Sequence, residues 1–442
     1  MLIEFNTDPD SLGLCLPPFL ELADADRWKK RAVQLGQDAM RSLFQSKIVA
    51  DFHWLELALS EQMIVREAYG NLVPGHLTIE SLSTLYFAQT LVEVHRRLSP
   101  HGRHVLEGRI RDALKSDVGF APLYLEMGVA RRLFNAGYEV EFSDMEGVAQ
   151  FDFRFWKGNA HGEVECKSLS CDAGRKIHRK DFYRFIEALS DLIAVRVSSG
   201  VKEILLVTLN DRLPAEERRQ NALREMAKRL LTEHALTRVD GDFFIITREG
   251  YDSRLEQASF SGPQEFYKVC RELYGDNCHV SGPVTPDGVY LIVMRSQRED
   301  DHSDPILEAM KKAAKQFSGK RPAFIAMQFN DIEPADLLLR HLRRRVGLLS
   351  NYLFHQDHAS HVAATYFTAY RGLVVSETGI GEPAFSVPNP KPAYPVAPED
   401  YSPFLGHIPD GEFARLLGEP PPVESISYIP FDVDNYENET GS

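Results

Sequence analysis

Around residue 158 the chain alternates apolar and polar positions with period two, as half-buried strands do. The spacing predicts one strand over Ala149–Trp156 and another over His161–Leu169. In the first arm Phe151, Phe153 and Phe155 would share one side, with Asp152, Arg154 and Trp156 on the other. In the second arm Glu163, Glu165 and Lys167 share a face, and Val164 and Cys166 oppose them. The segment Lys157-Gly-Asn-Ala160 fits a hairpin turn between the arms. Upstream, Leu123–Phe134 shows helical spacing, with Leu125, Val129, Leu133 and Phe134 as its stripe. That helix stops at Asn135-Ala-Gly137, and Tyr138–Phe142 then alternates as a strand. Downstream, a loop at Ser170–Gly174 leads to a predicted helix from about Lys176 to Val197, with Phe182, Phe185, Ile186, Leu189 and Ile193 as its stripe. Glu203–Leu209 is a short apolar run of the kind that forms a buried strand.

The flanks differ in pattern. Residues 1–20 read as irregular, and 21–115 are almost wholly helical in spacing, with helices over Asp26–Phe44, Phe52–Tyr69 and Thr78–Leu98 and a break at Asn71–Gly75. After Leu209, helix and strand take turns: helices at 215–234, 263–274, 304–317 and 335–349, and strands at 243–248, 288–295, 323–328, 362–370 and 372–377. From Gly379 to Pro422 proline is dense, which predicts an extended, wrapping or mobile segment. The expected class is α/β, and the expected domains are a helical region over 1–115, a core over 116–210, further α/β structure over 211–377 and a proline-rich acidic tail over 378–442.

Charge narrows the function classes. The formal net charge is -14, from 64 acidic and 50 basic residues, which argues against sequence-independent coating of nucleic acid. From Arg371 onward there are twelve acidic and three basic residues, a local balance of -9. Basic stretches lie at His95–Lys115 and from Lys311 through Lys320 and Arg321 to Arg340 and Arg343–Arg345. The five cysteines show no zinc-like or redox pairing, the N-terminus is not a secretory signal, and no window approaches a membrane span. A cytoplasmic setting without a membrane partner is expected.

The hairpin carries the chemistry. Asp152 and Glu165 are hard oxygen ligands suited to Mg²⁺ or Mn²⁺. Lys167, on the face of Glu165, can orient an attacking water or stabilise charge on phosphorus. The carbonyl of Cys166 is a further candidate ligand, its thiol pointing away into the core. The blander alternative is exposed strand residues paired with Arg154 and Lys167 across the hairpin.

Asp152, Glu165 and Lys167 resemble the PD-(D/E)xK motif of the restriction-endonuclease-like nuclease superfamily, with Phe151 standing at the motif's proline position. The order helix, strand, strand, strand, helix, strand over residues 116–210 is similar to that superfamily's core. The resemblance implies a mixed sheet flanked by helices, with Glu126 of the first core helix, or Glu163, as a second acidic group. It also implies a magnesium-dependent nuclease acting on DNA, in prokaryotic defence or DNA processing. Cutting both strands would require a homodimer or a partner subunit. An RNA nuclease, or a non-catalytic nucleic-acid-binding scaffold with a relic core, are the alternatives.

Arg175, Lys176, His178, Arg179 and Lys180 form a basic run at a predicted helix start. Cations are disfavoured there by the helix dipole, so a flanking phosphate is the expected partner. His355, His358 and His361 are spaced by three, and are read as loop histidines rather than a zinc site. No dinucleotide or ATPase fingerprint is present.

Overall fold

The computed structural model describes residues 13–22, 24–41, 46, 49–50, 52–70, 78–116, 118–170, 172–261, 263–285, 288–330, 340–370, 374–376, 379–381 and 384–405. They fall into two compact units, with chain crossings at 37/38, 48/49, 171/172 and 302/303. The first unit is built from 1–37, 49–171 and 303–442, and the second from 38–48 and 172–302. Of the acidic tail expected over 378–442, the part from 406 onward lies outside the described residues, as does the break at 71–75.

The N-terminal helices are α1 (Leu16–Glu21), α2 (Ala25–Arg41), α3 (Trp54–Tyr69), α4 (Ile79–Arg97) and α5 (Pro100–Ala113), followed by α6 (Ala121–Asn135). Thr78 and Ser99 cap α4 and α5 by accepting N–H bonds from Ser81 and Gly102. Strands β1 (Glu139–Glu141), β2 (Phe153–Lys157) and β3 (Ala160–Leu169) form an antiparallel meander. Gly158, at φ +58°, supplies the left-handed residue of the β2–β3 turn. Gly162 faces Phe155 so closely that a Cβ would stand 2.6 Å from the ring, which leaves Phe155 free to pack on Tyr138, Phe324 and Phe404.

The strand beside β3 is not the one its sequence position suggests. Glu203–Leu209, expected to complete the core, forms β4 (Lys202–Leu209) in a separate sheet of the second unit. The parallel neighbour of β3 is β9 (Ala323–Phe329), reached through α12 (Ser303–Gln316). The core boundary at 210 and the region 211–377 are corrected accordingly: 172–302 is an insertion, and the chain after 303 returns to the first sheet. That sheet continues through β10 (Val362–Ala369), parallel to β9 and preceded by α13 (Arg340–Phe354), to β13 (Ala384–Pro388), which is antiparallel. The segment from Gly379, expected to be extended and wrapping, therefore supplies an edge strand, where a terminal proline is tolerated. Between them β11 (Val374–Ser376) and β12 (Gly379–Gly381) make a two-stranded ribbon.

Both faces of the first sheet are covered. Phe153, Phe155, Val164, Phe324 and Tyr366 pack in a core with Leu125, Val129 and Leu133 of α6 and the N-terminal helices. Ile325, Met327, Phe329 and Phe367 pack in a second core with Ile306, Met310 and Ala313 of α12 and Val346 and Leu353 of α13. A run such as Ala323–Phe329, buried at every position, is what two covered faces demand.

In the second unit, α7 (Arg179–Glu187), α8 (Ser190–Ser198) and α9 (Glu217–Thr232) pack on one face of a five-stranded sheet. α10 (Ser253–Ser261) and α11 (Pro263–Tyr274) contribute Leu255 and Cys270 to the opposite core, which also holds Ile204, Leu206, Leu291 and Val293. The strand order is β5 (Arg238–Asp240), β6 (Phe244–Gly250), β4, β8 (Val289–Ser296), β7 (His279–Ser281), with only β4 and β8 parallel. The helix expected over 176–197 is thus two helices, divided near Leu189. No described helix is long and apolar enough to cross a membrane.

Candidate active site

Pairing between β2 and β3 ends at Phe153 and Val164, while β3 runs on to Leu169 beside β9. Among the described residues the second half of β3 therefore has a strand on one edge only. Asp152 occupies the other edge. Residues 151–152 bend before β2 begins, so Phe151 does not share the side of Phe153 and Phe155 as simple alternation predicted. It packs instead in the α12–α13 core against Phe317. The bend brings the Asp152 carboxylate to the N–H of Cys166, whose bond to Oδ2 is 2.7 Å. In return the Asp152 N–H donates to Glu165 Oε2 at 3.2 Å. Lys167 Nζ donates to Glu165 Oε1 and, at 2.7 Å, to Gln316 Oε1. The expected trio is therefore in one place, and both of its carboxylates are tied to β3.

Glu126, from the middle of α6, joins the trio electrostatically. Burial raises the Glu126 carboxyl to about 8, with Asp152 adding to the effect. Burial also raises Glu165 to about 8, again with help from Asp152. Asp152 itself is raised by burial to about 6, opposed by the Cys166 N–H and by the charges of Arg109 and Lys167. Carboxylates that repel one another in a dry setting bind either protons or a cation. Two residues that the sequence did not single out complete the cluster: Arg109 of α5 donates to Glu126 Oε2 at 2.9 Å and also to Asp144, in the turn after β1. Burial works against the charge of Arg109, and Glu126 and Asp144 outweigh it, raising its affinity for a proton. Gln316 is the third such residue. Its Nε2 donates to the carbonyl of Gln150 at 2.9 Å, which fixes the amide so that Oε1 faces Lys167.

Glu163 stands apart. It is buried, and its oxygens accept from the N–H of Ser318 at 2.8 Å and from the Ser318 hydroxyl, with Arg321 at 3.4 Å. It anchors the loop between α12 and β9, and does not supply the second acidic contact expected of it. The Cys166 side chain packs against the core on the α6 side, as expected, and burial together with the charges of Asp152, Glu126 and Glu165 pushes its thiol well above the ordinary range. In an extended strand the N–H and C=O of one residue point to the same side. The Cys166 carbonyl therefore faces the Asp152 edge together with its N–H.

The basic run belongs to the second unit. Its cations have local partners: Lys176 Nζ lies 3.4 Å from Asp211, and Arg179 Nε 3.8 Å from Asp172. The N–H groups of Lys176 and Arg179 donate to Asp300 and Asp172. Carboxylates thus offset the dipole penalty there; Arg175 and His178 precede α7, and Lys180 lies in its first turn. The histidines of 355–361 do not converge, since His355 bonds the Asn351 carbonyl and buried His361 the Ala314 carbonyl.

Among the described residues no group of three or more His, Cys, Asp or Glu side chains is placed to hold a metal ion alone. The donor set nonetheless fits Mg²⁺ or Mn²⁺, which take one or two protein carboxylates and fill the remaining positions with water and substrate oxygen. Asp152, Glu165 and the Cys166 carbonyl are the groups that would hold it. No protein-family model, curated protein or solved structure matches this chain.

Proposed function

We propose that this chain is a metal-dependent phosphodiesterase, a nuclease acting on DNA. The observation that carries the reading is the junction of Asp152, Glu165 and Lys167 where β3 runs on beyond its pairing with β2. A second point supports it. With the insertion set aside, the first unit runs α6, β1, β2, β3, α12, β9, the helix-strand order that the motif's resemblance implies. The physiological setting we attach to it, prokaryotic defence or DNA processing, follows from that resemblance alone.

Each residue has a distinct task. A divalent metal, when bound, would supply Lewis-acid stabilisation of the phosphodiester oxygen and acidify a water. Asp152 and Glu165 hold two anionic oxygens in a desolvated setting, where their repulsion is relieved by a cation. Lys167 presents an ammonium to the attacking water or the developing negative charge, and Gln316 fixes where that ammonium stands. Glu126, held by Arg109, keeps a further acidic group beside Asp152. Cleavage of both strands would call on a second copy or a partner subunit.

The test is an assay of the purified chain on linear duplex, circular duplex, single-stranded DNA and structured RNA, with Mg²⁺ or EDTA. Mg²⁺-dependent cutting of DNA that is lost in Asp152→Ala supports the proposal. Cutting of RNA alone would replace DNA with RNA as substrate. Binding without cutting under every condition would favour a scaffold with a relic site.

A further inference from the structure

One exposed aromatic residue stands on the face that carries the site. Of the three tryptophans, Trp28 and Trp54 are buried, and Trp156 on β2 is 39% exposed. The Arg154 guanidinium lies over its ring at 5.8 Å. The register places Trp156 opposite His161 and Arg154 opposite Glu163. Residues 161, 163, 165 and 167 of β3 share one face, so Trp156 and Arg154 lie on the face of Glu165 and Lys167. The other face of the hairpin is closed by Phe153, Phe155 and Val164. On the outer face Arg154, Trp156 and His161 are all exposed. From Asp152 to Trp156 is four residues, about 13 Å at the usual strand rise.

Cations and carboxylates share this face. Lys167 stands at the site, Arg321 lies beside Glu163, Lys320 is exposed next to it, and Arg154 follows. Glu139 and Glu141 of β1 oppose Trp156 and Arg154 on the outer edge, so the cations line the β3 side of the tryptophan. An indole with a guanidinium on its face is a surface on which a base stacks while its phosphate is neutralised.

We propose that Trp156 is a stacking platform for an unpaired base of the substrate strand, a few nucleotides from the scissile phosphate, with Arg154 on the adjoining phosphate. The polymer's identity rests on the nuclease reading, and the stacking does not. The substrate class is accordingly a single-stranded segment, either a free strand or an overhang on a duplex.

The experiment is a fluorescence titration of the full chain in EDTA, where binding is followed without cleavage. The probes are an oligothymidine, an oligomer of the same length with abasic residues, an oligouridine and a blunt duplex. Oligothymidine is expected to quench the emission and to shield it from acrylamide, and the abasic oligomer to do neither. Trp156→Ala should weaken oligothymidine binding about tenfold, with Trp156→Tyr keeping most of it. An unchanged melting temperature in Trp156→Ala separates this loss from misfolding. Equal affinity for abasic and base-bearing strands, tight duplex binding that leaves the emission unchanged, or parent affinity in Trp156→Ala would each overturn the proposal. Oligouridine binding equal to that of oligothymidine keeps stacking and widens the substrate to RNA. Stacking without Mg²⁺-dependent cleavage would refute the nuclease and keep the platform, and cleavage without stacking would do the reverse.

Discussion

Replacing Asp152 with asparagine should make the metal-free protein more stable at alkaline pH while ending its activity. The carboxyl is raised from 3.8 to about 6, chiefly by burial. Between those values the folded chain holds a proton that the unfolded chain has released, so stability falls as pH rises through that window. Glu126 and Glu165, raised from 4.5 to about 8, extend the same loss up to about pH 8. The shift of Asp152 alone is about two units, or about 3 kcal/mol at ~1.4 kcal/mol per unit. Asparagine retains an oxygen for the Cys166 N–H and removes the charge that raises both glutamates. Allowing for relaxation around the site, we expect a gain of about 1–2 kcal/mol at pH 8.5 and almost none at pH 4.5. Urea unfolding in EDTA at the two pH values measures it. Asp152→Asn equally destabilising at both pH values would refute the reasoning, because the carboxylate would then be an ordinary structural partner.

Four further outcomes follow from the same geometry. Lys167→Ala should lower kcat about a hundredfold or more without weakening Mn²⁺ binding, as single-turnover cleavage and calorimetry would show. Gln316→Met, which removes one of the two acceptors of Lys167, should reduce kcat about tenfold at unchanged KM and Mn²⁺ affinity; an equal loss of melting temperature and activity would make Gln316 merely structural. Glu163→Ala strands the Ser318 N–H and Arg321, and should cost about 2 kcal/mol of stability on denaturant unfolding, with Mn²⁺ affinity as in the parent. Saturating Mg²⁺ should flatten the fall in melting temperature between pH 5 and 8, since a bound cation replaces the protons of the acidic cluster.

Much of this was legible in the pattern of residues. The α6 stripe, the β2–β3 hairpin and the faces of Glu165 and Lys167 follow from period 3.6 and period 2, because each reports burial against a single neighbouring layer. The pairing of β3 with β9 was not legible. Glu203–Leu209 and Ala323–Phe329 are both short apolar runs, and neither spells its partner, since parallel neighbours need not be close in sequence. The insertion of 172–302 hides for the same reason: its strands obey the rules that those of the core obey. The bend at 151–152 reverses the side of Phe151 without any glycine or proline to announce it. Arg109, Asp144 and Gln316 lie on a helix surface, in a turn and at a helix end, and their partners are distant in sequence, so spacing carries no trace of them. Glu163 shows the converse. Its face follows from the alternation, but Ser318 and Arg321 claim it from a loop that the pattern does not place.

The central claim is that the acidic pair Asp152 and Glu165 takes up a divalent cation. Calorimetric titration of the parent chain with Mn²⁺ at pH 7.5, in buffers of different ionisation enthalpy, measures this directly. Binding with release of protons, abolished in Asp152→Ala and in Glu165→Ala but kept in Glu163→Gln, is the predicted result. Absence of Mn²⁺ binding in the parent, or binding of equal affinity in Asp152→Ala and Glu165→Ala, would contradict it.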